Sequence, residues 1–427
     1  MGGKAFDSAK APGERELNIQ PMTAETYLQV KEIYLTRLQS FFGKDTHLEV
    51  LKEAPEKLSF GDVDYLVSSE DAPDFLALAR SIGATALVKH GFTICSVAVR
   101  QDGFKQDSEP MVYTTVPNQH LASKSPAMKS DPPAAASDTE LYAQIDIELV
   151  PPKIFQWRRF LASYGGVGMI LGRMVRDVGF VVHGDGFYIY LSELQKAKRL
   201  GLQNVSDRDG QIFLTADPGK VLEFLHMSVK RYEDGFHTLP DLYAWLTSCR
   251  ALTDQSARRY KAEIHENKAA SKPKLYLSFF GQCTMVDKFG LAPDQSTAME
   301  DIRASLLQDA LAAFSIGKEL EEKRKKLNRT VSQGLAEAWL KKQISEVTDK
   351  QGKQATEIVR AFRRWVAVRG EVPKMSILPT AHRDEDSELY MLVREDVVDP
   401  AAEAVARAFV KESWEVVREL LRRGKSA

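Results

Sequence analysis

Two apolar segments, far apart in this chain, each carry acids at alternate positions, and that alternation limits what they can fold into. The first is Ser59-Phe60-Gly61-Asp62-Val63-Asp64-Tyr65-Leu66-Val67, the second Ala143-Gln144-Ile145-Asp146-Ile147-Glu148-Leu149-Val150. Side chains two apart in a strand leave the same face. Read as strands, Asp62 and Asp64 project together, and so do Asp146 and Glu148. A charged carboxylate on a buried face is costly, and two held close repel each other unless a cation lies between them. Either a divalent ion compensates these acids, or the segments are half-exposed strands with a solvated acidic face.

The Asp-x-Asp spacing recurs at Asp207/Asp209 and Asp384/Asp386, but there in polar, loop-like surroundings. Asp62/Asp64 differs because Gly61 precedes it and Tyr-Leu-Val follows. Mg²⁺ takes such oxygen ligands and keeps positions open for water and substrate phosphates. One or two such ions align a triphosphate, stabilise charge and activate an attacking hydroxyl.

The surrounding pattern is mixed. Residues 1–20 are expected to be a flexible tail. Thr23 to Phe42 reads as a helix, with Tyr27, Val30, Ile33, Tyr34 and Leu38 at helical spacing. A loop rich in Lys, Glu and Pro leads into the first acidic strand. A second helix follows, capped by Ser69 or Asp71, with Pro73 in its first turn and Gly83 as its stop. Residues 84–102 alternate as strands. Residues 102–138, rich in Pro, Ser and Ala, are expected to be a disordered insertion. Pro152 opens a further helix, and a β-hairpin is expected around His183-Gly184-Asp185-Gly186. Beyond Lys220 the pattern is mostly helical, with a long helical stretch from Thr297 to Thr348 and a final helix ending in Leu-Leu-Arg-Arg-Gly. The fold class expected is α+β: a mixed-sheet core at 21–155, an α/β extension at 156–265 that completes the site, and a mainly helical region at 270–427.

Composition excludes several classes. Hydrophobic residues make up 44% and charged residues 27%, the balance of a globular protein. The formal net charge of -1 gives no global pull toward nucleic acid. Cys95, Cys249 and Cys283 are too dispersed for a disulfide framework or a zinc pattern, which fits a reducing compartment. The N-terminal stretch has no apolar signal core, and no apolar run reaches about 18 residues. An intracellular protein, cytoplasmic or nuclear, with no membrane partner is expected.

The order strand with Gly-Asp-Val-Asp, helix, strand, then a strand carrying a third acid resembles the polymerase β-type nucleotidyltransferases. The resemblance implies that Asp62, Asp64 and Asp146 bind the catalytic Mg²⁺ or Mn²⁺, and that Asp146 also helps deprotonate the attacking hydroxyl. It further implies a nucleoside triphosphate, such as ATP, as substrate. Roughly residues 40–260 also resemble an uncharacterised group of fungal nucleotidyltransferase-like proteins, through Lys-Leu-Ser-Phe-Gly-Asp-Val-Asp, Gln-Ile-Asp-Ile-Glu-Leu-Val and Ser163-Tyr164-Gly165-Gly166-Val167-Gly168. Members of the superfamily carry a Gly-Ser pair about ten residues before the paired acids. Here Lys, Glu and Pro stand in that place.

Around this core, Lys57, Ser59 and Gly61 beside the acids, and Ser163 and Tyr164 at the glycine-rich turn, are the candidate nucleotide contacts. The turn is otherwise a site of close helix packing. Arg173 and Arg176 face either phosphates or solvent, and Lys89 and His90 end a strand. The cluster Glu-Glu-Lys-Arg-Lys-Lys and the group Arg363, Arg364, Trp365 and Arg369 are either solvated or packed, or contact a nucleic-acid backbone. The expected activity is transfer of a nucleoside monophosphate to an acceptor hydroxyl on an RNA end, a protein side chain or a small molecule. The alternative is a catalytically inactive binding or scaffold protein that keeps the fold.

Overall fold

The structure, a computed structural model, describes residues 5–6, 9–10, 17–103, 110–115, 140–199, 205–253, 256–257, 260, 274–282, 299–348, 350–369, 374–378, 381, 387–394, 397–398 and 400–423. The chain divides into two compact units, one of residues 1–187 and 215–308, the other of residues 188–214 and 309–427. Helices and a mixed parallel and antiparallel sheet make it an α+β protein.

The first unit is built on a seven-stranded sheet among the described residues. In chain order its strands are β1 (Ala9–Lys10), β2 (Leu48–Val50), β3 (Asp62–Ser68), β4 (Ala86–Lys89), β5 (Ile94–Arg100), β6 (Met111–Thr115) and β7 (Tyr142–Val150). Their order across the sheet is β1-β6-β4-β5-β7-β3-β2. β3 and β7 run parallel, while β5 lies antiparallel on the other side of β7.

Two helices cover one face. α1 (Ala24–Phe42) starts where the Thr23 hydroxyl accepts the Thr26 amide at 3.2 Å and ends at Gly43, whose φ is +94°. It buries Tyr27, Val30, Tyr34 and Leu38, the stripe its spacing predicts. α2 (Phe75–Ile82) ends as expected at Gly83, in the left-handed conformation, but its cap is Asp74, not Ser69 or Asp71. The Asp74 carboxylate accepts the Leu76 amide at 2.8 Å, a reach open only to the residue directly before the helix. Val63, Tyr65 and Val67 of β3, Cys95, Val97 and Val99 of β5, and Ala143, Ile145, Ile147 and Leu149 of β7 pack with these helices into one buried cluster. Each fully buried large aliphatic or aromatic side chain stabilises by about 1.5–3 kcal/mol. That burial fixes the register, since a slip of one residue would drive the acids into the core.

Two stretches expected to lack structure contain strand. β6 lies inside 102–138 and pairs parallel with β4, and the backbone of Ala9 and Lys10 pairs with Thr115 and Thr114. Met-Val-Tyr-Thr-Thr is a β-favouring run, hidden in sequence by its Pro- and Ser-rich flanks. The rest of that expected insertion lies outside the described residues.

After β7 come a short 3-10 turn at Pro152–Ile154, then α3 (Phe155–Ala162) and α4 (Val167–Asp177). Strands Phe180–His183 and Gly186–Tyr190 stand where a hairpin is expected. In the second unit, helices Gly317–Thr348, Gly352–Trp365 and Pro400–Arg423 enclose a core that includes Leu340, Ile344, Phe362 and Val410. Trp339, Trp365 and Trp414 pack against it. The helical pattern from 297 to 348 is two helices, Met299–Phe314 and Gly317–Thr348, parted at Ser315, whose φ is +54°. No described helix is long and apolar enough to cross a membrane.

Candidate metal centre

The face of the sheet opposite α1 and α2 carries the acids. With the odd-numbered residues of β3, β5 and β7 in the core, strand alternation sends Asp62, Asp64, Ser96, Gln144, Asp146 and Glu148 to the other side. The register sets Asp64 opposite Asp146, and Asp146 opposite Ser96 on its other flank. Carboxylate oxygens of Asp62, Asp64 and Asp146 all lie within 4.8 Å of one another. Asp62 is buried at 8% exposure, and the other two are half-buried.

Polar side chains flank Asp146. Gln144 donates from Nε2 to Asp146 Oδ1 at 2.8 Å, and its own Oε1 accepts the Ala5 amide at 3.0 Å. The Ser96 hydroxyl, opposite Asp146 in the register, favours its charged form. Burial pushes the Asp146 carboxyl up to about 6, and Asp62 adds to the rise while the Ser96 and Gln144 bonds oppose it. Burial, then the charges of Asp62, Asp146 and Glu53, holds Asp64 well above the usual carboxylate range, with Lys57 pulling the other way. Burial and the neighbouring carboxylates thus raise both Asp64 and Asp146.

The loop before β3 sets Lys57 beside groups that the sequence did not single out. Lys57 Nζ pairs with Glu53 Oε2 at 2.6 Å and lies 4.8 Å from the centre of the Phe60 ring. Phe60 stacks on Tyr27 with ring centres 4.1 Å apart. Burial raises the Tyr27 hydroxyl, and Glu53, Asp64 and Asp62 raise it further, so Tyr27 and Glu53 belong to the same electrostatic neighbourhood. Neither carried a sequence signal: one reads as a core aromatic, the other as a loop acid. Gln144 did carry one, two residues before Asp146 on the same strand face. Of the remaining loop candidates, Ser59 is exposed and Gly61 half-buried.

Ser163 and Tyr164 lie in the interior. Both are buried, at 0% and 3% exposure. The Tyr164 hydroxyl donates to the Tyr232 carbonyl at 3.0 Å, and its ring packs edge-on against Tyr232 and Phe236. The glycine-rich turn serves packing: Tyr164, Gly165 and Gly166 all have positive φ, and a Cβ at Gly168 would lie 2.5 Å from the Leu161 carbonyl oxygen. Arg173 sits over the Tyr260 ring at 4.7 Å, and Arg176 is exposed. Glu148, on the acidic face, is paired with Arg158.

Three of the basic groups of the second unit are paired. Arg324 pairs with Glu193 at 3.4 Å, Lys323 with Glu319 at 3.5 Å, and Arg363 with Glu337 at 3.2 Å.

The carboxylate triad fits a hard divalent cation. All its donors are oxygens, and bonds of about 2.0–2.6 Å place ligands of one ion up to roughly 4–5 Å apart, close to the spread found here. No protein-family model matches this chain, and no curated protein does.

Proposed function

We propose that this chain transfers a nucleoside monophosphate from a nucleoside triphosphate to an acceptor hydroxyl, with Mg²⁺ or Mn²⁺ held by Asp62, Asp64 and Asp146. The observation that carries the reading is the approach of these three carboxylates to within 4.8 Å on parallel neighbouring strands. A divalent ion bound there supplies triphosphate alignment, charge neutralisation and a more acidic attacking hydroxyl. In the transfer, the acceptor oxygen forms a bond to the α-phosphorus, the bond from that phosphorus to the bridging oxygen breaks, and pyrophosphate leaves. Asp146, beside the ion, would take the acceptor's proton. Lys57, steadied by Glu53, places a positive charge within reach of Asp64 and of phosphate oxygens beside it. The acceptor hydroxyl belongs to an RNA end, a protein side chain or a small molecule.

A second reading is a binding or scaffold protein that holds a triphosphate without turnover. It is favoured by the Lys-, Glu- and Pro-bearing loop that stands in place of a Gly-Ser phosphate grip. Labelled triphosphates with Mg²⁺ or Mn²⁺, and pyrophosphate release as readout, separate the two. Release abolished by Asp62→Ala supports transfer. Tight triphosphate binding with no release supports the scaffold.

A further inference from the structure

The turn between β4 and β5 folds a histidine back over the acidic face. β4 ends at Lys89, and the His90 amide donates to the Ile94 carbonyl at 2.8 Å. Gly91 closes the turn at φ +80°, a conformation that suits glycine. His90 Nε2 then lies 2.9 Å from Ser96 Oγ. Ser96 is buried at 2% exposure and stands opposite Asp146, with its side chain on the same face of the sheet. A hydroxyl has one proton. When Ser96 turns that proton toward the Asp146 carboxylate, its oxygen accepts from His90, which then carries a hydrogen on Nε2. The chain then runs from His90 to Ser96 to Asp146.

We propose that His90 is a positioning residue of the carboxylate cluster, holding the Ser96 hydroxyl in the one rotor position that orients Asp146 toward a bound divalent cation. The proposal rests on the metal-binding reading above. Groups that hydrogen-bond a ligating carboxylate tune metal affinity about as strongly as some ligands do, with losses of about 10–100-fold when removed. His90 is exposed and contributes nothing to the hydrophobic clusters, so its replacement spares the core and an effect on metal binding reports orientation.

The test is Mn²⁺ titration of the full chain, with free Mn²⁺ followed by electron paramagnetic resonance and the melting temperature measured alongside. Ser96→Ala and His90→Ala are expected to weaken Mn²⁺ binding about tenfold with little change in melting temperature. Ser96→Thr keeps the hydroxyl, and His90→Gln keeps an N–H donor, so both are expected to return most of the affinity. Wild-type binding that is lost in Asp62→Ala but unchanged in His90→Ala would overturn the positioning role alone. His90→Gln as weak as His90→Ala would do the same. Absence of Mn²⁺ binding by the wild-type chain would remove the metal reading and this role with it.

Discussion

Asp64 and Asp146 stand directly opposite each other on parallel neighbouring strands, with their side chains on the same face of the sheet. Two acids so placed work against the fold unless a cation joins them. Any accounting of this chain's stability near neutral pH therefore includes their repulsion.

The sign of that effect can be measured at Asp146. Its carboxyl is raised from 3.8 to about 6 in the folded chain, so the folded state holds the proton more tightly than the unfolded state. The stabilising contribution of the protonated form is fully present below about pH 4 and is lost as pH rises through about 6. In metal-free solution, Asp146→Asn, which stays neutral, should be more stable than wild type at pH 7 by roughly 1–3 kcal/mol. The advantage should shrink toward zero near pH 4. Urea melts of the two proteins across this range give the comparison; a constant difference at all pH values would contradict the raised carboxyl.

A divalent ion should reverse the cost. Binding that favours the folded state at a ligand concentration of 100 times Kd stabilises by about 2.7 kcal/mol. Thermal melts in Mg²⁺ or Mn²⁺ should therefore shift upward for wild type and stay put for Asp62→Ala, whose side chain is the most buried of the three. An equal shift in both would point to ion binding elsewhere.

How much of this was legible in the sequence depended on whether the signal was local. The alternation of acids with apolar residues in Asp62-Val63-Asp64 and Ile145-Asp146-Ile147 gave the strands and the shared face, because side-chain direction in a strand is set by the nearest neighbours alone. The juxtaposition of β3 and β7 is a long-range pairing, and the resemblance rather than the residues anticipated it. Ser96 was lost among ordinary strand residues, and His90 read as a strand end. Their roles exist only through the register β5 adopts against β7. Ser163 and Tyr164 looked available because a glycine-rich turn before a helix can hold a phosphate. The same glycines also permit close packing, and the two polar side chains are buried.

The cysteines offer a check on the core that is independent of the acids. Burial pushes the Cys95 thiol up to about 12 and the Cys249 thiol to about 11. Only the thiolate reacts at an appreciable rate. Alkylation of the native chain at pH 8, followed by peptide mapping, should leave both unmodified over a period that fully labels the chain in denaturant. Rapid native labelling of Cys95 would mean that the helix-covered face of the sheet opens far more readily than its packing implies.

Two glycines of α4 make the sharpest test of what the glycine-rich segment is for. At Gly168 a Cβ would meet the Leu161 carbonyl oxygen at 2.5 Å and the Leu161 Cα at 2.9 Å. Both belong to the backbone of α3, which cannot rotate aside. At Gly172, one turn along the same helix, a Cβ would meet only the Val182 Cβ at 3.6 Å, an ordinary contact. Gly168→Ala should thus cost roughly 1–3 kcal/mol by overpacking. Gly172→Ala should be neutral or gain up to about 1 kcal/mol from helix propensity. If the segment instead gripped phosphate, Gly168→Ala would weaken triphosphate binding while leaving the melting temperature near that of Gly172→Ala. Melting curves and triphosphate titrations on the two variants therefore distinguish packing from binding, and the Leu161 backbone geometry predicts that the difference lies in stability.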